Sequence, residues 1–191
     1  MAIQITPQTG TAVSVHEFEM IADLPENRNR RLEYSAGSLI EATSDDISSE
    51  IAMILARHLG NFVYANKLGR IRGADGGYMV GTERYMPDVS YISEQKLTKL
   101  ANQGWVPIAP NLAVEVISPT DNPRDIRVKV ANYLAVGTIV WLVDPVEKWV
   151  EVYTPNQTVQ TLSLKDTLEG GTLLPGFTLE IQRVFDELDA D

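Results

Sequence analysis

The passage "LAVEVISPTDNPRDIRVKVANYLAVGTIVWLVD", from Leu112 to Asp144, constrains the fold more than any other stretch of the chain. It reads as an apolar strand, a helix and a second apolar strand. Asn122 stands as N-cap, Pro123 takes the first helical position and Gly137 follows the end, each where a helix boundary calls for that residue type. Two buried, β-branched strands joined by a helix of this length predict a right-handed parallel crossover. The second strand then runs through Asp144-Pro145 into the alternating "KWVEVYT", which predicts an antiparallel neighbour.

Other segments fill in around that unit. Ser14-Val-His-Glu17 is a capping box that opens a short helix ending near Leu24-Pro25. "RLEYSAGSLIEAT" (31–43) predicts a hairpin turning at Ala36-Gly37. From Asp46 to about Lys67, the residues Ile47, Ile51, Ile54, Leu55, His58 and Phe62 recur at helical spacing, with Gly69 just past the end. "GRIRGADGGYMVG" (69–81) predicts a second hairpin with Asp-Gly-Gly as its turn, and a strand beginning at Asp88 follows. A polar, Pro-containing connection covers about 93–110. The tail predicts short strands near 158–163 and 178–182 and a last acidic turn, "FDELDAD". There is no internal repeat. Strands interrupted by two helices predict an α/β (α+β) sheet domain with the 46–67 and 123–135 helices packed on it, and 191 residues suit a single domain.

Composition removes several function classes. Sixteen Lys and Arg against 26 Asp and Glu give a net charge of −10, the wrong sign for a protein that coats nucleic acid. Without cysteine there are no disulfides, thiolate zinc sites or thiol nucleophiles. His16 and His58 are too few for a multi-histidine metal centre, and no GxSxG elbow is present. "GADGGY" lacks the GK[ST] of a phosphate loop and reads as a turn. The N-terminus shows no basic region followed by an apolar run, and no apolar stretch approaches the ~20 residues that span a bilayer. The expectation is a cytoplasmic protein with no membrane segment.

Two acids stand out. Asp88 in "PDVSYIS" and Glu115 in "LAVEVISP" interrupt apolar strands, where carboxylates are depleted and costly to bury alone. Brought to one end of a sheet from adjacent strands, they would form a hard-cation site suited to Mg²⁺ or Mn²⁺. Lys129 borders the core stripe of Ile126, Val130, Tyr133 and Leu134 on the following helix, so its ammonium can turn toward the same point. A cation and an ammonium together suit phosphodiester hydrolysis. Blander readings stand beside these. Asp88 could cap a strand, and Lys129 could pair with Asp125 one turn away. His58 reads as a core histidine with one hydrogen bond. The Arg28, Arg30, Arg31 cluster reads as a solvated loop in preference to a phosphate contact, and Trp105 as packing in preference to base stacking.

The stretches "RLEYSAGSLIEAT", "GRIRGADGGY", "YMPDVSYIS", "GWVPIAPNLAVEVISPTD", "RVKVANYLAVGTIVWLVDP" and "LPGFTL" together resemble the Uma2 family (DUF820) of the PD-(D/E)XK restriction-endonuclease-like superfamily, over about residues 14–185. That resemblance implies a restriction-endonuclease-like mixed β-sheet flanked by helices. It divides the single domain 1–191 into an N-terminal helix and hairpin elaboration (1–43), a nuclease-like core (44–145) and C-terminal strands with an acidic tail (146–191). It implies Pro87-Asp88 as the "PD" and Glu115 as the second acid, both metal ligands. The superfamily's lysine position two residues after that acid is Ile117 here, which implies that Lys129 carries the lysine's role. Glu33, in the family's early "yEl" motif, is implied as a further carboxylate of the catalytic set, and Ser48 stands where many relatives carry a histidine. The expected function is a Mg²⁺ (or Mn²⁺)-dependent endonuclease acting on nucleic acid, DNA first, with a homodimer covering the sheet edges. The alternatives are a non-enzymatic module that binds nucleic acid or protein, and a hydrolase of small phosphoesters.

Overall fold

A computed structural model of the chain describes residues 12–96 and 104–189. In chain order its first half comprises α1 (Val15–Ala22), β1 (Leu32–Ser35), β2 (Ser38–Glu41), α2 (Asp46–Ala65), β3 (Gly69–Gly73), β4 (Tyr78–Val80), β5 (Glu83–Tyr85) and β6 (Val89–Ser93). The second half comprises β7 (Leu112–Val116), α3 (Pro123–Ala135), β8 (Ile139–Asp144), β9 (Trp149–Tyr153), β10 (Gln160–Leu162), β11 (Thr167–Glu169), β12 (Thr178–Glu180) and α4 (Ile181–Leu188).

The crossover forms as its sequence dictates. β7 and β8 pair in parallel, Leu112 opposite Ile139 and Glu115 opposite Leu142. Asn122 caps α3 by accepting from the Arg124 amide, with Pro123 at the first turn and Gly137 beyond the end at φ 82°. The pair anchors a six-stranded sheet in the order β10-β9-β8-β7-β6-β3, in which every other pairing is antiparallel. A four-stranded antiparallel sheet, β2-β1-β5-β4, and a β11-β12 hairpin complete the fold.

Strand alternation divides the large sheet into two packed faces. Leu112, Val114, Val116, Trp141 and Val143 join α2, α4 and the β11-β12 region in the larger core. Ala113 and Val140 point the other way, toward α3 and the small sheet, where Val130, Tyr133, Tyr78 and Tyr85 fill a second core. Glu115 shares the face of Ala113, so it is on the α3 side of the sheet. Among the described residues, no helix is long and apolar enough to cross a membrane.

Three local expectations are corrected. The 69–81 segment is not a hairpin: β3 pairs with β6 in the large sheet, while β4 pairs with β5 in the small one. Gly77 lets the chain cross between sheets beneath Trp105, where a Cβ would sit 2.6 Å from the indole ring. Tyr78 then binds the large sheet through its hydroxyl to Ser90, at 2.8 Å. The acidic tail forms a helix, not a turn, because Ile181, Val184, Phe185 and Leu188 line one face against the core. β5 and β11, three residues each, were not anticipated. The predicted 93–110 connection lies partly outside the described residues.

Candidate active site

β6 and β7 pair with Val89 opposite Val114, and extending that register by one residue sets Asp88 beside Glu115 on the same face. Asp88 precedes the strand proper, and its Oδ2 accepts the Val116 amide hydrogen at 2.9 Å. The strand-capping reading of Asp88 is therefore correct in part, since one carboxylate oxygen closes the end of the ladder. Its Oδ1 faces Arg31, 3.5 Å from Nη2.

Lys129 bridges the sheet and the N-terminal hairpin. Its Nζ donates to Glu115 Oε2 and to Glu33 Oε1, both at 2.9 Å. It also lies 5.4 Å from the centre of the Tyr85 ring. The ion pair is thus made with acids distant in sequence and not with Asp125. Glu33 lies in β1, is 4% exposed, and accepts the Met86 amide hydrogen at 2.6 Å. Among the described residues, no three His, Asp or Glu side chains form a ready-made metal cage.

The structure also places Tyr133 and Tyr85, to which the sequence reading assigns no site role. Tyr133, one turn after Lys129, donates its hydroxyl to Glu115 Oε1 at 3.1 Å, so both oxygens of Glu115 are held. Tyr85 hydrogen-bonds Ser35 and accepts from Asn132, which fixes the ring beside Lys129. A tyrosine in the apolar stripe of a helix is a legible signal, because a buried phenol needs a polar partner. Ser48 is buried; its hydroxyl donates to Asp45 at 2.7 Å and lies 3.3 Å from the Ile117 carbonyl, tying α2 to the end of β7. His58 is on the opposite face of the sheet, with Nε2 3.2 Å from Glu187. Trp105 packs on Phe18, ring centres 5.8 Å apart.

Arg31, Glu33, Tyr85, Asp88, Glu115 and Lys129 line one cavity of about 230 Å³. Its described walls carry six acids (Glu33, Glu41, Asp88, Glu115, Asp121, Asp125) and two cations (Arg31, Lys129). The imbalance shows in the protonation equilibria. Burial, aided by the Asp88 and Glu33 carboxylates, pushes Glu115 up to about 8 even with Lys129 in contact. Burial disfavours the Lys129 ammonium, but Glu115 and Glu33 outweigh it and hold the group well above the usual lysine range. Burial and the same carboxylates raise the Tyr133 phenol, which stays protonated as a donor. The site is one that would favour additional positive charge.

Over residues 17–182 the sequence matches the profile of Uma2, described as "Putative restriction endonuclease". The crystal structure of a DUF820 protein from Anabaena variabilis, a "putative nuclease", is similar in fold, with a TM-score of 0.80 at 22% identity. The likeness covers 92% of this chain and 99% of that one. No curated protein matches the sequence. The mixed sheet flanked by helices is therefore the nuclease-like α+β fold that the sequence led one to expect.

Proposed function

Because the chain belongs to the Uma2 family, we propose that it is a divalent-metal-dependent endonuclease that hydrolyses nucleic-acid phosphodiester bonds, DNA first, in the Lys129 cavity. The observation that supports this most strongly is the convergence of Glu115 and Glu33 on the Lys129 ammonium, with Asp88 beside Glu115 in the same cavity. Asp88 and Glu115 would hold Mg²⁺ or Mn²⁺. The donor set suits such an ion, which takes one or two carboxylates and completes its octahedron with water and substrate phosphate oxygens. The bound cation would supply Lewis-acid activation of water and of the phosphoryl group.

The chain's own residues have separable tasks. The Val116 amide and the Tyr133 hydroxyl orient Asp88 and Glu115. Glu33 and Tyr85 hold the Lys129 ammonium at the cavity wall, where it can steady charge developing on a phosphate oxygen. A homodimer would supply a second site for the other strand of a duplex.

Supercoiled circular DNA incubated with Mg²⁺ or Mn²⁺ tests the proposal, with Asp88→Ala run in parallel. Nicked or linear product from the parent and none from the variant is the expected result. Intact circles in both would contradict it. The acid-rich walls and the net charge of −10 favour one second reading, a hydrolase of small phosphoesters that needs no basic track for a polyanion. Turnover of bis(p-nitrophenyl) phosphate with the circular DNA untouched would select that reading.

A further inference from the structure

We infer that Arg31 is the phosphate-gripping residue of this site, the group that takes a non-bridging oxygen of the substrate phosphodiester. The inference rests on the phosphodiesterase reading above and adds a residue to it.

The basic cluster at 28–31 divides in the structure. Arg30 is fully committed, donating through Nε and Nη2 to Glu41 and through Nη1 to Asn27. Arg84 is likewise committed, to Glu19 and to the Thr82 and Glu83 carbonyls. Arg31 is different. It turns inward to line the cavity, with its side chain 22% exposed. Among the described residues its only side-chain hydrogen bonds are long and come from one nitrogen, Nη2, at 3.2 Å from the Met86 carbonyl and 3.5 Å from Asp88 Oδ1. Its Nε is buried and has no hydrogen-bond partner among the described groups.

A buried donor left unmatched is costly, and a guanidinium presents a planar fork that fits two phosphate oxygens. Lys129 has two of its three ammonium hydrogens committed to Glu33 and Glu115 and offers no planar fork. Of the two cations in the described cavity walls, Arg31 is thus the one with more donor capacity to spare. Its weak contact with Asp88 would also become dispensable once a divalent ion neutralised that carboxylate. The cation and the phosphate would then be recruited side by side, with Asp88 next to both.

The test compares the parent with Arg31→Gln and Arg31→Lys. Fluorescence anisotropy of a labelled single-stranded oligonucleotide in Ca²⁺ reads substrate affinity, calorimetric titration of Mn²⁺ reads the metal site, and a thermal melt reads folding. Arg31→Gln should weaken oligonucleotide binding at least about tenfold. Arg31→Lys should recover only part of that loss, because it keeps the charge without the fork. Mn²⁺ affinity should be unchanged or tighter in both. Oligonucleotide binding by Arg31→Gln equal to the parent's would overturn the inference, as would a parent that binds no oligonucleotide. A lowered melting temperature with unchanged affinity would reduce Arg31 to a tether for Met86. Arg31-dependent binding without cleavage under Mg²⁺ or Mn²⁺ would uphold Arg31 and defeat the endonuclease reading alone.

Discussion

Lys129 and Glu187 are the centres of two inverse ion clusters on opposite faces of the large sheet. Lys129 is one cation among acids; Glu187 is one acid between two arginines, Arg57 and Arg183, with the His58 imidazole also in contact where α4 meets α2. Both clusters are unbalanced in charge, yet only one has the character of a site. The arginines around Glu187 are 51% and 59% exposed, so water disperses their surplus. The side chains of Lys129, Glu33 and Glu115 are 18%, 6% and 14% exposed around a cavity, and there the surplus perturbs Glu115. Burial, more than the number of charges, separates a surface staple from a site that calls for a ligand.

The sharpest way to break that contrast is Asp88→Ala. It should abolish Mn²⁺ binding and lower cleavage at least about a hundredfold, since a metal ion supplies several kcal/mol of transition-state stabilisation. Next comes Lys129→Ala, which leaves Glu33 and Glu115 without a cationic partner. Urea unfolding without metal should show a loss of about 3 kcal/mol, of which saturating Mg²⁺ restores part by mass action. Mn²⁺ should still bind, while cleavage slows. A Lys129→Ala protein that cleaves as fast as the parent would remove lysine from the mechanism. Tyr133→Phe deletes one hydrogen bond to Glu115 and should cost about 1 kcal/mol in the same unfolding experiment.

Glu187→Gln should have the smallest effect, at most about 1 kcal/mol, and should leave cleavage unaltered. Burial alone would raise the Glu187 carboxyl, but Arg183, His58 and Arg57 outweigh it and hold the group below the usual glutamate range. A depressed folded-state pKa stabilises the protein above the unfolded value of about 4.3 and ceases to do so as pH falls through the folded one. Stabilities of parent and variant, measured by urea unfolding, should therefore converge as the pH falls below the unfolded value and through the folded one. A difference that persists undiminished there would assign the cluster's contribution to packing.

Asp88, Glu115 and Lys129 were legible as a group because each conflicts with its local setting: two acids in apolar strands, and a lysine on the edge of a buried stripe. The structure brings all three to one cavity. Glu33 was legible only through family resemblance, since nothing in "RLEYS" says which sheet will lie opposite it. The inward turn of Arg31 and the separation of β3 from β4 were hidden for a related reason. Both depend on partners more than ten residues away, Asp88 for the first and, for the second, the β6 strand that sets Ser93 opposite Gly69. α4 is a different kind of miss: its helical periodicity is present in "IQRVFDEL", but the run of acids in "FDELDAD" reads as a turn.

Calorimetric titration of Mn²⁺ into the parent, Asp88→Asn and Glu187→Gln tests the central claim most directly, because it asks whether the buried acid surplus is a cation site. The account predicts binding in the parent, its loss in Asp88→Asn and its full retention in Glu187→Gln. A parent that takes up no Mn²⁺, or an Asp88→Asn protein that binds it as tightly as the parent, would contradict it.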